Sequence, residues 1–384
     1  WMLLPSPKPR HTVQVQPADR LQSEGIEVGD PGAAMLDFGV LRLRDPLDHA
    51  LALSVWERCR HMDPHAHPSY VELFARLAGA EPLCAVGVWP AGSVMMPFCL
   101  RTVPGSPDGG STDAITPYGF GGAYASGDVR PEHFWSKWQA WAIQTGLVSF
   151  VIRRNVTSEA VLAPFGRANH VMDNVVIELG QGPDAAWRGF EGRARTDCRR
   201  AEQAGVTVVL DDSCEHLEQF HRLYIQTMVQ RHASPFYMFS VEDLAGLHEQ
   251  MPKSVWLVCA YLGSELIASE MYLVGADVAY YFLSGSSPTA RQARAHHLIK
   301  ARICGWLHER GVSSLALGGG MRANDSLFRH KRSFARGGVV PFEVEYQEFR
   351  SDRVQDLMAA RTAAEPHFTP DPTYYPAYRA PSQA

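Results

Sequence analysis

Three consecutive glycines, Gly318-Gly319-Gly320, followed eleven residues later by Lys331, are the arrangement in this sequence best suited to chemistry. The spacing predicts a short strand over Ser313–Leu317 running straight into the glycines, which would let backbone approach a ligand closely. A helix expected from Asn324 to about Ala335 then offers free N–H groups at its start. Along it, Leu327, Phe328 and Phe334 are the expected core anchors. Lys331 lies four residues after Leu327 and three after Phe328, on or beside the buried face. A lysine so placed either extends its stem to water or turns its ammonium into a cleft. Lysine is also scarce: Lys8, Lys137, Lys253, Lys300 and Lys331 are the only five among 36 basic residues, so one in a sensitive place draws attention.

The same segment carries Arg322, Arg329, Lys331, Arg332 and Arg336 against a single acid, Asp325. A second basic run holds Arg188, Arg193, Arg195, Arg199 and Arg200 against Glu191 and Asp197. Charge runs on helices are ordinarily solvated faces. On a chain of net charge −5 they also suit a local polyanion, such as an RNA backbone or a phosphorylated ligand. His61, His65 and His67 look superficially like a metal tract, but Pro64 and Pro68 forbid the continuous helix that would fix their geometry, and no metal is expected. His296 and His297 read as packing and surface residues. No G-x-S-x-G elbow, Walker loop or G-x-G-x-x-G fingerprint is present.

The elements that must position these residues follow from hydrophobic period. In the second half, helices are expected at Cys214–Arg231 and from Ser240, an N-cap with Asp243 at the third helical position, to Gln250. Strands follow at Val255–Tyr261, Leu266–Val274 and Val278–Leu283, the first two joined by a Gly263-Ser264 turn. A long helix over Ala290–Arg310 stops at Gly311, and a strand near Phe342–Tyr346 closes the series. The first half runs similarly: helices at Leu47–Arg60 and Ser69–Ala78, strands at Leu83–Trp89 and Ser93–Thr102, a glycine-rich turn at Gly119–Gly122, a helix at Pro131–Thr145 and a strand at Leu147–Ile152. The repeated order implies an internal duplication, each half a mixed α/β unit of mostly antiparallel strands flanked by helices. The expected division is a loose arm over 1–34, a first domain over 35–170 completed by about 341–364, a second over 171–340, and a loose proline-rich tail over 365–384.

Composition narrows the class. With 46% apolar and 20% charged residues the chain is neither a disordered tail nor a coiled coil. Its longest apolar run, Val255–Leu262, is too short to span a bilayer, and its first residues lack a basic segment followed by an apolar one. A soluble, cytoplasmic protein is expected. Seven scattered cysteines, none spaced C-x-x-C, read as buried thiols in a reducing compartment.

Several motifs together resemble the Fem family of aminoacyl-tRNA-dependent aminoacyltransferases. Gly318-Gly319-Gly320 with Asn324-Asp325-Ser326-Leu327-Phe328-Arg329-His330-Lys331-Arg332-Ser333-Phe334 resembles its C-terminal signature. Pro117-Tyr118-Gly119-Phe120-Gly121-Gly122 is similar to its Pro-Tyr-Gly-aromatic-Gly-Gly turn. Arg195–Val206 and Tyr224–Arg231 are similar to its basic helix ending in Ala-Glu-x-x-Gly-Val and its Tyr-x-x-Thr-x-x-x-Arg helix. The matches span about residues 80–348 in family order.

The resemblance implies a tandem duplicated GNAT-like fold and transfer of an aminoacyl group from aminoacyl-tRNA to an amine of a small peptide-, nucleoside- or muropeptide-type acceptor. It implies no cofactor and no metal, and a monomer is favoured. Lys331 matches the lysine credited with stabilising the transition state, and Arg231 an arginine expected to hold the acceptor's anionic group. Tyr118, Gly119, Gly121 and Gly122, with Gly318, Gly319 and Gly320, are expected to line the substrates. Arg195, Arg199, Arg200, Arg322, Arg329 and Arg332 are expected to meet the tRNA. Asp325 and Tyr118 are conceivable bases, with a proton relay through the substrate as the alternative. The residue before the lysine, often aromatic in the family, is His330, and no inserted coiled-coil arm separates Val206 from Cys214. The absent arm and the arginine-biased composition point away from a staphylococcal-type bridge enzyme and leave a natural-product enzyme, the favoured reading, or a plain muropeptide ligase. Two other readings stay open: an acyl-CoA-dependent N-acyltransferase, which the glycine-free stretch Ser286–Ala295 speaks against, and a noncatalytic binding protein on the same scaffold.

Overall fold

The chain is described by a computed structural model that covers residues 35–59, 61–156, 161–371 and 374–381; the arm expected over 1–34 lies outside the described residues. Apolar side chains alternate or run continuously through thirteen strands, which join in one sheet. The first half supplies β1 (Leu36–Arg42), β2 (Glu81–Trp89), β3 (Gly92–Thr102), β4 (Thr112–Ile115), β5 (Tyr124–Gly127) and β6 (Ser149–Arg153). Then come β7 (Arg167–Glu178), β8 (Val206–Asp211), β9 (Val255–Leu262), β10 (Glu265–Val274), β11 (Val278–Ser286), β12 (Ser314–Gly318) and β13 (Val339–Glu348).

Their spatial order is β1-β2-β3-β4-β6-β13-β7-β12-β11-β10-β9-β8, with β5 beside β3. The order is a duplication laid end to end. Four antiparallel strands, β1 to β4, meet β6 in a parallel pair and then antiparallel β13. Four antiparallel strands, β8 to β11, meet β12 in a parallel pair and then antiparallel β7. Strands β7 and β13 pair with each other and fuse the halves into one surface. A parallel pair needs a crossover, and each half uses a helix for it: Pro131–Gln144 and Ala295–Glu309.

The local signals explain most of these elements. Gly263, at φ 61°, makes the tight turn between β9 and β10. Ser240 and Asp243 form a reciprocal capping box at the helix Val241–Gln250. The expected long helix over Ala290–Arg310 is instead two, Pro288–Gln292 and Ala295–Glu309, because Arg294 takes a left-handed conformation (φ 58°) that no continuous helix accommodates. The second piece buries Leu298, Ile299, Ile303 and Leu307 against the sheet, each contributing roughly 1.5–3 kcal/mol.

Two further departures bear on the site. The helix expected from Asn324 to Ala335 is shorter, Ser326–Arg332, since Asn324 is left-handed (φ 52°) and Asp325 serves as N-cap. Its buried row is Phe328, Lys331, Phe334 and Ala335, whereas Leu327, expected as a core anchor, is exposed. Leu327 sits about 100° round the helix from Phe328, outside the i, i+3 row that faces the sheet. The tail expected to be loose after Ala364 is docked over its described part. A helix, Ser351–Ala364, leads to a segment whose Tyr378 is buried and bonds Ser149 Oγ at 2.9 Å and Asp113 Oδ2 at 3.0 Å. All seven cysteines are buried and free. Among the described residues no helix is long and apolar enough to cross a membrane.

Candidate active site

Where a parallel pair stops pairing, a gap opens at the strand ends. Strands β11 and β12 pair only over Val278–Tyr280 and Ser314–Ala316. Beyond that point β12 runs into Gly318-Gly319-Gly320, while β11 continues into Tyr281. Gly318 has φ 75°, and a Cβ at Gly320 would stand 2.3 Å from Asp325 Oδ1, so the turn tolerates little but glycine.

Lys331 reaches back from its helix to this turn. It is 4% exposed, and its Nζ donates to the Gly319 carbonyl at 2.8 Å. Gly319 itself packs tightly: a Cβ there would meet Asn174 Oδ1 at 2.9 Å and Met172 Sδ at 3.0 Å. Met172 and Asn174 line a cleft between the two halves, whose wall also includes Tyr118, Gly119, Phe236 and Tyr237. The ammonium is thus buried and does not extend into solvent; Lys331 and Gly318–Gly320 do not themselves line the cleft, and the turn abuts it through Met172 and Asn174. Burial first, then the charge of Lys300, push Lys331 down to about 7, against the pull of Asp325 and Glu270.

Lys300 was not singled out by sequence, yet it is the second buried lysine of this site. Its Nζ lies 4.1 Å from the centroid of the Tyr281 ring, and Lys331 Nζ lies 5.4 Å from the same centroid. Lys300 donates to Glu270, a fully buried carboxylate that also accepts from Tyr272 and meets His296 Nδ1 at 2.6 Å. Burial raises the Glu270 carboxyl, but Lys300 and His296 outweigh it and hold it at about 2. His296, expected to be a packing or surface residue, thus pairs with the buried Glu270 of this network. His297 and His330 stack edge-on, with ring centroids 5.0 Å apart, and burial lowers them to about 4 and about 3, so both are neutral at pH 7.

Asp325, expected to be catalytic, is held by backbone N–H groups. Its carboxylate accepts N–H groups from Met321 at 2.7 Å, Arg322 at 3.0 Å and Phe328 at 2.8 Å. Burial raises its pKa, but these backbone bonds prevail and lower it. It braces the glycine turn and caps the helix, and is not placed as a base.

The expected substrate residues divide. Tyr118 and Gly119 line the cleft, and the Tyr118 carbonyl is held by Tyr70 Oη at 2.8 Å. Gly119 (φ 91°) is required, because a Cβ would stand 2.7 Å from His65 Nε2. Gly121 and Gly122 shape the turn behind, the former donating to the Arg153 carbonyl at 2.7 Å. Arg231 is exposed at the end of the helix Leu217–Gln230 and is not among the residues lining the cleft, contrary to its expected role. The His61–His67 tract is structural: His65 Nδ1 is 3.0 Å from Asp63 Oδ1, and His67 Nδ1 accepts the Ser69 N–H at 3.2 Å. Asp63 Oδ2 in turn accepts from Asn155 at 2.8 Å and from Tyr280, tying the halves together.

The two basic runs converge. Glu191 N donates to Ser333 O at 2.7 Å and Arg336 N to Gly189 O at 3.1 Å, so the start of the helix Gly192–Gln203 abuts the end of the helix carrying Lys331. Arg199, Arg200, Arg322, Arg329 and Arg332 are exposed; Arg200 pairs with Asp197 at 3.3 Å, and Arg195 is half-buried against the Phe190 carbonyl. Asp211, His216 and Cys259 are the one group of donor atoms among the described residues close enough to share a cation, but Asp211 already accepts the Glu215 and His216 N–H groups and acts as a brace.

Comparison with known proteins agrees with this architecture. Residues 189–332 match the family described as Acetyltransferase (GNAT) domain. The chain resembles the crystal structure of FemX with a TM-score of 0.56 at 12% identity, over 78% of this chain and 94% of that one. It also resembles a conserved protein of unknown function from Bacteroides thetaiotaomicron, with a TM-score of 0.51 at 10% identity over 82% and 100% of the two chains. No curated protein matches the chain by sequence. Residues 189–332 thus match a GNAT-type domain, and the sheet repeats the same order of strands in both halves. The whole is a Fem-like tandem GNAT fold.

Proposed function

We propose that this chain transfers an aminoacyl group from aminoacyl-tRNA to an amine of a small acceptor, forming an amide bond. The observation that carries the reading is the buried Lys331 ammonium at the glycine turn, bonded to Gly319 O, with Gly319 against Met172 and Asn174, two residues that line the inter-lobe cleft. An aminoacyl ester is already activated, so the protein must orient it, accept charge on its carbonyl oxygen and see a proton removed. The amine nitrogen bonds the carbonyl carbon, the ester C–O bond breaks, and the proton lost by the amine passes to the departing ribose hydroxyl. Lys331 faces the oxyanion of the tetrahedral stage. The exposed arginines on its helix and on the helix Gly192–Gln203 that abuts it support a polyanionic donor. A natural-product acceptor is the favoured reading and a plain muropeptide the alternative; the missing inserted arm speaks only against a staphylococcal-type bridge enzyme.

The test is transfer of a radiolabelled aminoacyl group from a charged tRNA pool to a panel of amines, with and without ribonuclease. RNase-sensitive amide formation is expected. Product formed with the tRNA destroyed, or acetyl transfer from acetyl-CoA in its place, would reassign the chain to acyl-CoA chemistry, the reading that the GNAT domain match also permits.

A further inference from the structure

The cleft has a second polar feature, far in sequence from Lys331 and the glycine turn. Three guanidinium groups line it, from Arg101 on β3, Arg153 on β6 and Arg379 in the docked C-terminal segment, and among the described residues no acidic side chain does. One carboxylate stands behind them. Asp113, fully buried, accepts Arg101 Nε at 2.9 Å through Oδ1, and Arg379 Nε and Tyr378 through Oδ2. Arg379 also donates to Thr102 O at 2.9 Å, and Arg153 donates to the carbonyls of Thr116 at 2.9 Å and Pro117 at 3.2 Å. Three cations against one anion leave a surplus of two positive charges in a largely aromatic pocket.

Arg101 sharpens the point. It is 8% exposed, and its Nη2 is buried with no hydrogen-bond partner among the described residues. An unmet buried donor costs about 1–3 kcal/mol, and more on a charged group, so one that faces a cleft calls for a partner. The three groups also converge: each acts on the Tyr374 phenol, whose pKa burial raises and the guanidiniums pull back. Guanidinium forks match the planar or tetrahedral oxygens of carboxylate and phosphate.

We infer that Arg101, Arg153 and Arg379 form an oxyanion-binding site, which holds a carboxylate or phosphate of a small ligand whose apolar or planar body lies on the cleft's aromatic wall. The ligand's identity as the amine acceptor rests on the aminoacyl-transfer reading; the anion site itself does not. It takes the role expected of Arg231, which lies outside the cleft. Anchored there, an acceptor extends along the same cleft toward Met172 and Asn174, the residues against Gly319.

Isothermal titration of the whole chain at fixed ionic strength, with phenyl phosphate, benzoate and neutral benzamide as probes and no donor present, tests the site. At least one anion is expected to bind tenfold or more tightly than benzamide, and preference between the two distinguishes a phosphate-bearing from a carboxylate-bearing ligand. Arg101→Gln is expected to weaken the preferred anion at least tenfold while leaving benzamide unchanged. If Arg101→Gln loosens the fold by freeing Asp113, Arg379→Gln at the cleft edge carries the same expectation. Equal binding of all three probes, no binding of either anion, or anion affinity unmoved by the folded arginine variants would overturn the proposal. Because no aminoacyl donor is used, this outcome is independent of whether transfer occurs.

Discussion

Lys300 and Lys331 stand over the same aromatic ring, 4.1 and 5.4 Å from the centroid of Tyr281, at the point where β11 and β12 cease to pair. Lys300 forms a salt bridge with Glu270, a carboxylate buried with it. Two ammonium groups sharing one ring repel, so the pair lowers the proton affinity of Lys331 beyond what burial does alone. The consequence is a lysine that titrates near neutral pH beside a cleft, where its charge is poised for use.

That shift has a consequence for stability. Burial lowers Lys331 from 10.5 to about 7 in the folded chain, so between those values the unfolded chain binds more protons, and stability rises with pH through this window. Below pH 7 the folded state carries the whole penalty of a buried charge. Lys331→Met is therefore expected to stabilise the fold, on the order of a few kcal/mol at pH 6 and less at pH 9, each pKa unit being about 1.4 kcal/mol. Urea denaturation at the two pH values measures it; equal effects at both would mean that the lysine is not perturbed.

Breaking the Glu270–Lys300 pair from one side leaves a buried charge uncompensated. Lys300→Met is expected to destabilise by about 3–5 kcal/mol, and Glu270→Gln/Lys300→Met together by clearly less. The double variant also removes the repulsion on Lys331, which outweighs the lost attraction of Glu270, and so moves the Lys331 titration to higher pH. A double variant as unstable as the single one would show that the network is not a compensated pair.

Asp325 separates capping from catalysis. Asp325→Asn keeps one acceptor oxygen, enough for the Phe328 N–H or for those of Met321 and Arg322 but not for both, and is expected to retain turnover within a few-fold. Asp325→Ala should lose about 1 kcal/mol of stability with the cap. A hundredfold fall in kcat for the asparagine variant, with the fold intact, would make Asp325 the base after all.

The joined basic face is expected to act on the donor alone. Charge reversal at Arg329 and Arg332, exposed on the helix of Lys331, should raise KM for charged tRNA at least tenfold, flatten its salt dependence and leave the acceptor KM unchanged. A salt slope identical to the parent chain would place the tRNA elsewhere.

Much of this was legible in the sequence for local reasons. The β9–β10 hairpin, the capped helix at Ser240 and the glycine turn before Lys331 each depend on residues a few positions apart. What stayed hidden depends on distance. Lys300 gains its meaning from Glu270, thirty residues away on another element, and nothing in a helical period announces that partner. Strand β7 carries mostly polar, half-exposed residues in its first part, because its stabilisation comes from pairing with β13, more than 160 residues on. The proline-rich tail reads as a loose arm until Tyr378 and Arg379 are seen to seat on Asp113. The duplication was readable because its repeated order of elements needs no partner to be seen.

The central claim is that Lys331 acts as a cation on the reacting ester. The most direct measurement is the pH dependence of kcat for aminoacyl transfer, in the parent chain and in Lys331→Gln. The parent is expected to show a falling limb as pH rises through about 7, where the ammonium is lost. The glutamine variant should turn over roughly 10²–10³-fold more slowly and lack that limb. A parent rate that climbs through the same range with no falling limb, or a variant with the parent's rate and profile, would contradict the account.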